Sequence, residues 1–370
     1  MQAWGGNAMA QKTVRFAALN FARSSFARSL FARAIFRSSL AAIAILTLHS
    51  SVFAQVARED FPQIANLPDI PVSKWEDQNN LSNGVKPKGV AIAIHGLIMH
   101  GRVYDQMARD LAQDGYVVFA PDLRGYGRWN SEDLTIREGK DPLPENHKVN
   151  YEQSFQDLKA LVSSIKSHYG DTPVYLIGES LGAGFSMRLA SELPNEIAGI
   201  VLSSPALKRR FYLEPVMVKQ VARLMTNPAG EIDLVPYIKK FSSEDPMIVQ
   251  DTIEDPYVRK RLNCAALCAT ARLIKSNMSH VEGIPADMPV LVLQGDNDRM
   301  LKAEAVSVFM DKLRSKDQTI RWMPGKGHVL IETNRISPDT LGTIKDWLAS
   351  HNNTNGNAKL ADNSQLALQK

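Results

Sequence analysis

The pentapeptide Gly178-Glu179-Ser180-Leu181-Gly182 is the part of this chain best suited to nucleophilic chemistry. A serine hydroxyl attacks a carbonyl only when a base takes its proton, and an imidazole base needs a third group to fix its tautomer. Val174 to Ile177 reads as a strand running into the pentapeptide, and Leu181 begins a helix running out of it. That strand–turn–helix context is what a nucleophile elbow requires, with glycines where a Cβ would clash and the hydroxyl at the carboxyl edge of a sheet. A tight turn with a capping serine is the plainer alternative. His328, in Gly325-Lys326-Gly327-His328 past the last strand, is the expected base; His168 ends a helix, His351 lies in the tail, and His147 and His280 sit in insertions. Leu293-Gln294-Gly295-Asp296-Asn297-Asp298 closes another strand and offers two carboxylates. Three residues past the glycine the loop can turn Asp298 toward the histidine, whereas Asp296 is expected to be a turn-former bonded to its own backbone. The backbone N–H groups of Leu97, after His95-Gly96, and of Leu181 are placed to hold an oxyanion. The His95 side chain is expected to brace its loop. Asp122-Leu123-Arg124-Gly125-Tyr126-Gly127 is expected to be a glycine-rich turn with its Asp and Arg paired internally.

These residues need a frame, and the hydrophobic pattern supplies one. Short apolar runs at Gly89 to His95, Tyr116 to Ala120, Val174 to Ile177, Ile197 to Leu202, Val290 to Leu293 and Thr319 to Met323 read as strands. Longer amphipathic runs at Val103 to Gln113, Ser154 to His168, Leu181 to Leu193, Ala303 to Leu313 and Leu341 to Ser350 read as helices, the last capped by Ser337-Pro338. Continuous apolar strands joined by helical crossovers predict a doubly wound, mostly parallel α/β sheet covered on both faces. The core divides into 89–204 and 290–350. Between them, 205–289 is expected to be a helical lid over the strand carboxyl ends, where such sheets bind ligands. Its Phe211, Met217, Leu224 and Met225 are candidate substrate contacts. Residues 55–88 are expected to form an irregular N-terminal arm, and the Asn-rich tail 351–370 to be disordered.

The chain has 370 residues, 44% hydrophobic and 22% charged, a composition that suits one large or two small globular domains. Net charge is +4, yet residues 1 to 58 hold no acid while Lys12, Arg15, Arg23, Arg28, Arg33 and Arg37 precede residue 54. Without those six, 37 basic residues face 39 acidic ones, net −2, so the body offers no basic face for a nucleic acid. Residues 1–54 read as a targeting segment: positive charge, then the apolar Leu40 to Leu48, then Val52-Phe53-Ala54 before Gln55. Nine residues fall short of the roughly 20 that span a bilayer. Export with cleavage near Ala54 is the expectation; an organelle transit peptide or an uncleaved anchor are the alternatives. Cys264 and Cys268, one helical turn apart, are expected to be small buried residues, with no zinc spacing around them.

Together, His95-Gly96-Leu97, Asp122 to Gly127, the serine elbow, Leu293 to Asp298 and Gly327-His328 resemble the α/β-hydrolase superfamily. More narrowly, they are similar to its monoacylglycerol-lipase and lysophospholipase-like branch, which overlaps the serine aminopeptidase-like sequences. The resemblance covers about Lys88 to Trp347, keeps the family's order Ser–Asp–His, and extends to Glu244-Asp245-Pro246 and Asp255-Pro256 in the insertion. It implies Ser180 as nucleophile, Asp298 as acid, His328 as base, Leu97 and Leu181 as oxyanion donors, and no cofactor or metal. The implied substrate is a small-molecule or lipid ester, with peripheral membrane contact through the lid. An amidase or peptidase, an acyltransferase and a thioesterase would use the same triad, and a noncatalytic binding protein could share the fold. The sequence departs from the branch twice. Glu179 stands where a His commonly precedes the nucleophile, and the arm before Gly89 leaves little room for the usual opening hairpin.

Overall fold

Val, Ile, Leu and Ala dominate the sheet-forming runs, and such residues are stable in strands only where both faces are shielded from water. In the computed structural model, residues 55–129, 148–210, 218–220, 222, 227 and 230–367 are described, with side chains of the last helix to residue 352. The chain forms β1 (Val56–Asp60), β2 (Val72–Asp77), α1 (Gln78–Ser82), β3 (Gly89–Ile94), α2 (Asp105–Gln113), β4 (Tyr116–Pro121), α3 (Tyr151–Tyr169) and β5 (Val174–Glu179). It continues through α4 (Leu181–Glu192), β6 (Gly199–Ser203), β7 (Glu231–Asp233), α5 (Val235–Phe241), α6 (Pro246–Glu254), β8 (Arg261–Asn263) and α7 (Cys264–Ser276). β9 (Val290–Gly295), α8 (Glu304–Lys312), β10 (Gln318–Met323) and α9 (Pro338–Ala367) complete it.

Eight strands make one sheet in the order β1-β2-β4-β3-β5-β6-β9-β10. From β4 to β10 all neighbours run parallel, while β1–β2 and β2–β4 are antiparallel. Every residue of β3, β4, β5, β6 and β9 is buried, as a sheet covered on both faces demands. The chain leaves β3 for β4 on one side and returns to place β5 on the other, so the order reverses between β3 and β5. Ile94 pairs with Gly178 there, and the loops that follow both strands start side by side. Open α/β sheets bind ligands at the carboxyl ends of strands flanking such a reversal.

Three expectations need correction. The arm 55–88 is not irregular: β1 and β2 pair with each other and β2 pairs with β4, so it does hold an antiparallel pair. Its strand β2 buries Val72 and Trp75 in the core, a signal hidden by the polar residues between them. The tail expected to be disordered continues α9 as far as Ala367, with no proline after Pro338 to interrupt it. Cys264 and Cys268 are exposed. α7 turns Ala266 and Thr270 inward, and a residue two positions away lies more than half a turn round the helix. The insertion between β6 and β9 is mainly helical as expected, with the small antiparallel pair β7–β8 in addition. The leader 1–54 lies outside the described residues. Among those described, no helix is long and apolar enough to cross a membrane.

Candidate active site

Ser180 sits between β5 and α4 with φ 55° and ψ −111°, a left-handed conformation that side chains avoid unless their surroundings impose it. The flanking glycines show what imposes it. A Cβ on Gly182 would lie 1.8 Å from the Ile94 carbonyl oxygen, and one on Gly178 would lie 2.5 Å from the Gly182 backbone. The turn is therefore pressed against the end of β3, and the serine is held at the sheet edge.

The expected acid and base, Asp298 and His328, follow neighbouring strands. β9 and β10 pair Gly295 with Met323, and their following loops touch so closely that a Cβ on Gly295 would lie 2.1 Å from the Gly327 carbonyl oxygen. His328, on the β10 loop, has Nε2 3.0 Å from Ser180 Oγ and Nδ1 2.8 Å from Asp298 Oδ2. An ionised carboxylate only accepts, so Nδ1 carries the proton and Nε2 accepts from the serine hydroxyl. Asp298 is itself fixed: Oδ1 accepts from the backbone N–H of Met300 at 2.7 Å and Leu301 at 3.0 Å, and Oδ2 also accepts from Gln294 Nε2 at 3.2 Å. Burial works against its ionised form, but the positive potential of His328 and these bonds outweigh burial and hold its pKa below the usual aspartate value. For His328, burial disfavours the charged ring, yet the charge and hydrogen bond of Asp298 and the charge of Glu179 raise its pKa above that of an ordinary imidazole.

Asp296, the alternative acid, points elsewhere. Its Oδ1 accepts from the Gly325 N–H at 2.7 Å, so it ties two loops together instead of bonding its own backbone. The insertion closes this side: Ser242 O accepts from Val329 N–H at 3.0 Å, and Glu244 accepts from Gly327 N–H at 2.6 Å while pairing with Lys326 at 3.1 Å.

Leu97 and Leu181 line the same cavity as Ser180 and His328. His95 braces the loop of Leu97 as expected. Its Nε2 accepts from Leu123 N–H at 2.9 Å, its Nδ1–H donates to Gly96 O at 2.8 Å, and burial lowers its pKa to about 4. The Asp122 turn differs from expectation. Asp122 pairs at 2.7 Å with buried Arg128, just past the glycines, while Arg124 reaches across to Asp157 at 2.6 Å. The cavity has a volume of about 520 Å³. Ile232, Leu234, Tyr237, Ile238, Leu267 and Ile274 of the insertion line it. Phe211, Met217, Leu224 and Met225, the contacts expected from the sequence, lie outside the described residues. Among those described, no group of His, Cys, Asp and Glu is placed to hold a metal ion.

Two buried carboxyls beside Ser180, His328 and Asp298 were not foreseen as parts of the site. Oε2 of Glu179 accepts from Ser203 Oγ at 2.7 Å and from the backbone N–H groups of Leu330 and Ile331 at 3.0 and 2.9 Å. Glu332 accepts from the Gly96 N–H, and Tyr104 Oη lies 3.3 Å from the same oxygen. One signal was available for Glu332: an acid closing the apolar run Val329-Leu330-Ile331 directly after the expected base.

A serine elbow, a histidine and an aspartate at the carboxyl ends of β5, β10 and β9, on this strand order, define an α/β-hydrolase. The family profile described as "Serine aminopeptidase, S33" matches residues 85–334, and the chain belongs to that family. It is 26% identical over 266 residues to a monoacylglycerol lipase of Mycolicibacterium smegmatis, covering 72% of this chain and 89% of that protein. It is also 26% identical over 278 residues to the human monoglyceride lipase, covering 74% and 86%. Among solved structures, the fold is similar to that of a Paleococcus ferrophilus monoacylglycerol lipase, with TM-score 0.58, 24% identity and coverage of 80% and 99%. A soluble variant of Saccharomyces cerevisiae monoglyceride lipase gives TM-score 0.63, 19% identity and coverage of 81% and 98%.

Proposed function

We propose that the chain is a serine hydrolase of carboxylic esters that cleaves lipids bearing a single acyl chain, of the monoacylglycerol or lysophospholipid kind. The observation that carries this is the hydrogen-bonded series Asp298–His328–Ser180 opening onto an apolar cavity of about 520 Å³. The monoglyceride lipase names of its relatives point the same way.

In this reading Ser180 Oγ attacks the acyl carbonyl as its proton passes to His328 Nε2, and Asp298 stabilises the imidazolium through Nδ1–H. The oxyanion is held by the Leu97 and Leu181 amides, an arrangement in which each donor is typically worth about 3 kcal/mol of barrier. His328 then protonates the departing alcohol, and water, deprotonated by His328, releases the acid from the acyl-enzyme. The insertion serves as lid: its Ile232, Tyr237, Ile238 and Leu267 supply apolar wall for the acyl chain, at about 0.8 kcal/mol per methylene buried.

A fluorophosphonate probe tests the nucleophile and should label wild type and spare Ser180→Ala. Glyceryl and p-nitrophenyl esters of graded length test the substrate, with kcat/KM rising until the cavity is full. Labelling that persists in Ser180→Ala, or turnover confined to p-nitroanilides, would refute this function. Export with cleavage after Ala54 remains our proposal from the leader's order of charge and apolar residues, and N-terminal sequencing should begin at Gln55.

A further inference from the structure

Glu332 is four residues past the base and 4% exposed. It lies on a segment whose Leu330 and Ile331 amides bond Glu179 of the elbow, and it lines the cavity. One of its oxygens receives the Gly96 N–H, the amide just before Leu97. Its other oxygen would lie 3.1 Å from a Cβ on Gly96, a position also only 3.2 Å from Ser180 Cβ. Gly96, Glu332 and Ser180 thus meet at one point. The segment is anchored from the opposite side. Glu179, the residue preceding the nucleophile, takes the Leu330 and Ile331 amides on one oxygen, and Ser203 of the neighbouring strand steadies that oxygen. A continuous set of bonds therefore runs from β6 through the elbow and the base-bearing segment to the oxyanion loop.

We propose that Glu332 is a positioning residue for the oxyanion hole, holding the Gly96 amide and so fixing the direction in which the Leu97 amide faces Ser180. A peptide plane is rigid, and adjacent planes share one Cα. Fixing the Gly96 N–H while His95 Nδ1–H holds the Gly96 carbonyl secures both ends of this residue, and the carbonyl shares its plane with the Leu97 N–H. A donor aimed at a developing charge helps only if it is already in place, because reorienting it during the reaction costs what it would contribute.

The chemistry of the pair suits this role. Burial and then the charge of Glu179 push Glu332 well above the usual carboxyl range, which favours its protonated, neutral form. A neutral acid can accept from Gly96 without placing a negative charge beside an oxyanion. Glutamine has the same shape and charge, with a carbonyl for Gly96.

This inference rests on the serine-hydrolase reading, and the test separates the two. Wild type, Ser180→Ala, Glu332→Ala, Glu332→Gln and Glu332→Asp are compared for ester kcat and KM, fluorophosphonate labelling, thermal midpoint, and inhibition by a trifluoromethyl ketone, which forms a tetrahedral oxyanion on serine. Glu332→Ala should lower kcat about 10- to 100-fold, less than the roughly 10²–10³ for deleting a donor, with KM little changed. Affinity for the ketone should fall in step with kcat/KM, and Glu332→Gln should recover most of both losses. If Glu332→Ala does not fold, Glu332→Asp, whose carboxyl is one methylene short of Gly96, should show the same pattern. An unchanged kcat, a kcat loss without weaker ketone binding, or a Gln variant as impaired as the Ala variant would overturn the assignment. A wild type with neither ester turnover nor labelling would instead remove the hydrolase reading, and this inference with it.

Discussion

Replacing Asp298 by Asn changes one atom and should nearly silence the enzyme, and the hydrogen bonds around the carboxylate give the size of the effect. Oδ1 receives two backbone amides, from Met300 and Leu301, while Oδ2 faces His328 Nδ1. An asparagine that keeps its oxygen on the two amides turns its NH₂ toward His328. Nδ1 must then accept, the proton moves to Nε2, and the ring can no longer take the Ser180 proton. The flipped asparagine would restore the useful tautomer, but it would set an NH₂ against two buried N–H donors. Each unsatisfied donor costs about 1–3 kcal/mol, so the flip is uphill by roughly 2–6 kcal/mol. At about 1.4 kcal/mol per decade, the productive form is about 30- to 10⁴-fold depleted, and the upper value matches the loss of about 10⁴ seen when a triad aspartate is amidated. Steady-state kcat on a p-nitrophenyl ester, corrected by active-site titration, measures it. Asp296→Asn, which loses only a contact to the exposed Gly325 turn, is the control. An Asp298→Asn variant within about threefold of wild type, against the 30-fold minimum above, or an Asp296→Asn variant equally damaged, would refute the reasoning.

Three further outcomes are expected. A base must be neutral to accept a proton and His328 is raised above the ordinary imidazole value, so the acid limb of kcat/KM should fall off at a pH above 6.5; an acid limb below that value would contradict the Asp298 and Glu179 assignments. Gly182→Ala should be destabilised by about 3 kcal/mol or more, read as a lower urea midpoint, because its Cβ would lie 1.8 Å from the Ile94 carbonyl. Cys264 and Cys268 are exposed and should both react with a maleimide in the native protein, as mass spectrometry would show; two protected thiols would put α7 the other way round.

The parallel strands were legible because burial on both faces leaves an unbroken apolar run, as in Val90 to Ile94 and Val290 to Leu293. The elbow was legible for a related reason, since its glycines are demanded by backbone contacts that no side chain could fit. Asp298 could be chosen over Asp296 from loop spacing alone. What stayed hidden depends on partners far along the chain. Trp75 of β2 is buried against β4, yet its neighbours Lys74, Glu76 and Asp77 give the segment the look of a loop. Arg128 outcompetes Arg124 for Asp122 because it lies in the buried interior, where Asp60 also reaches it at 3.2 Å. Glu332 resembles any polar residue at the end of an apolar run until the fold brings Gly96 to it.

The wide separation of the reacting groups also makes the site a gauge of folding. Ser180 and His328 are 148 positions apart, and Gly96 and Glu332 are 236 apart. Contacts of such long range close late, because much chain must be ordered before they form. A nascent chain released just after β9 would hold the complete elbow, the acid-bearing strand and the whole insertion, and still lack the imidazole. Reactivity of Ser180 toward a fluorophosphonate would then appear only after the loop carrying His328, 33 residues beyond the end of β9, leaves the ribosome and docks. Probe labelling during refolding would time the closing of the last native contacts.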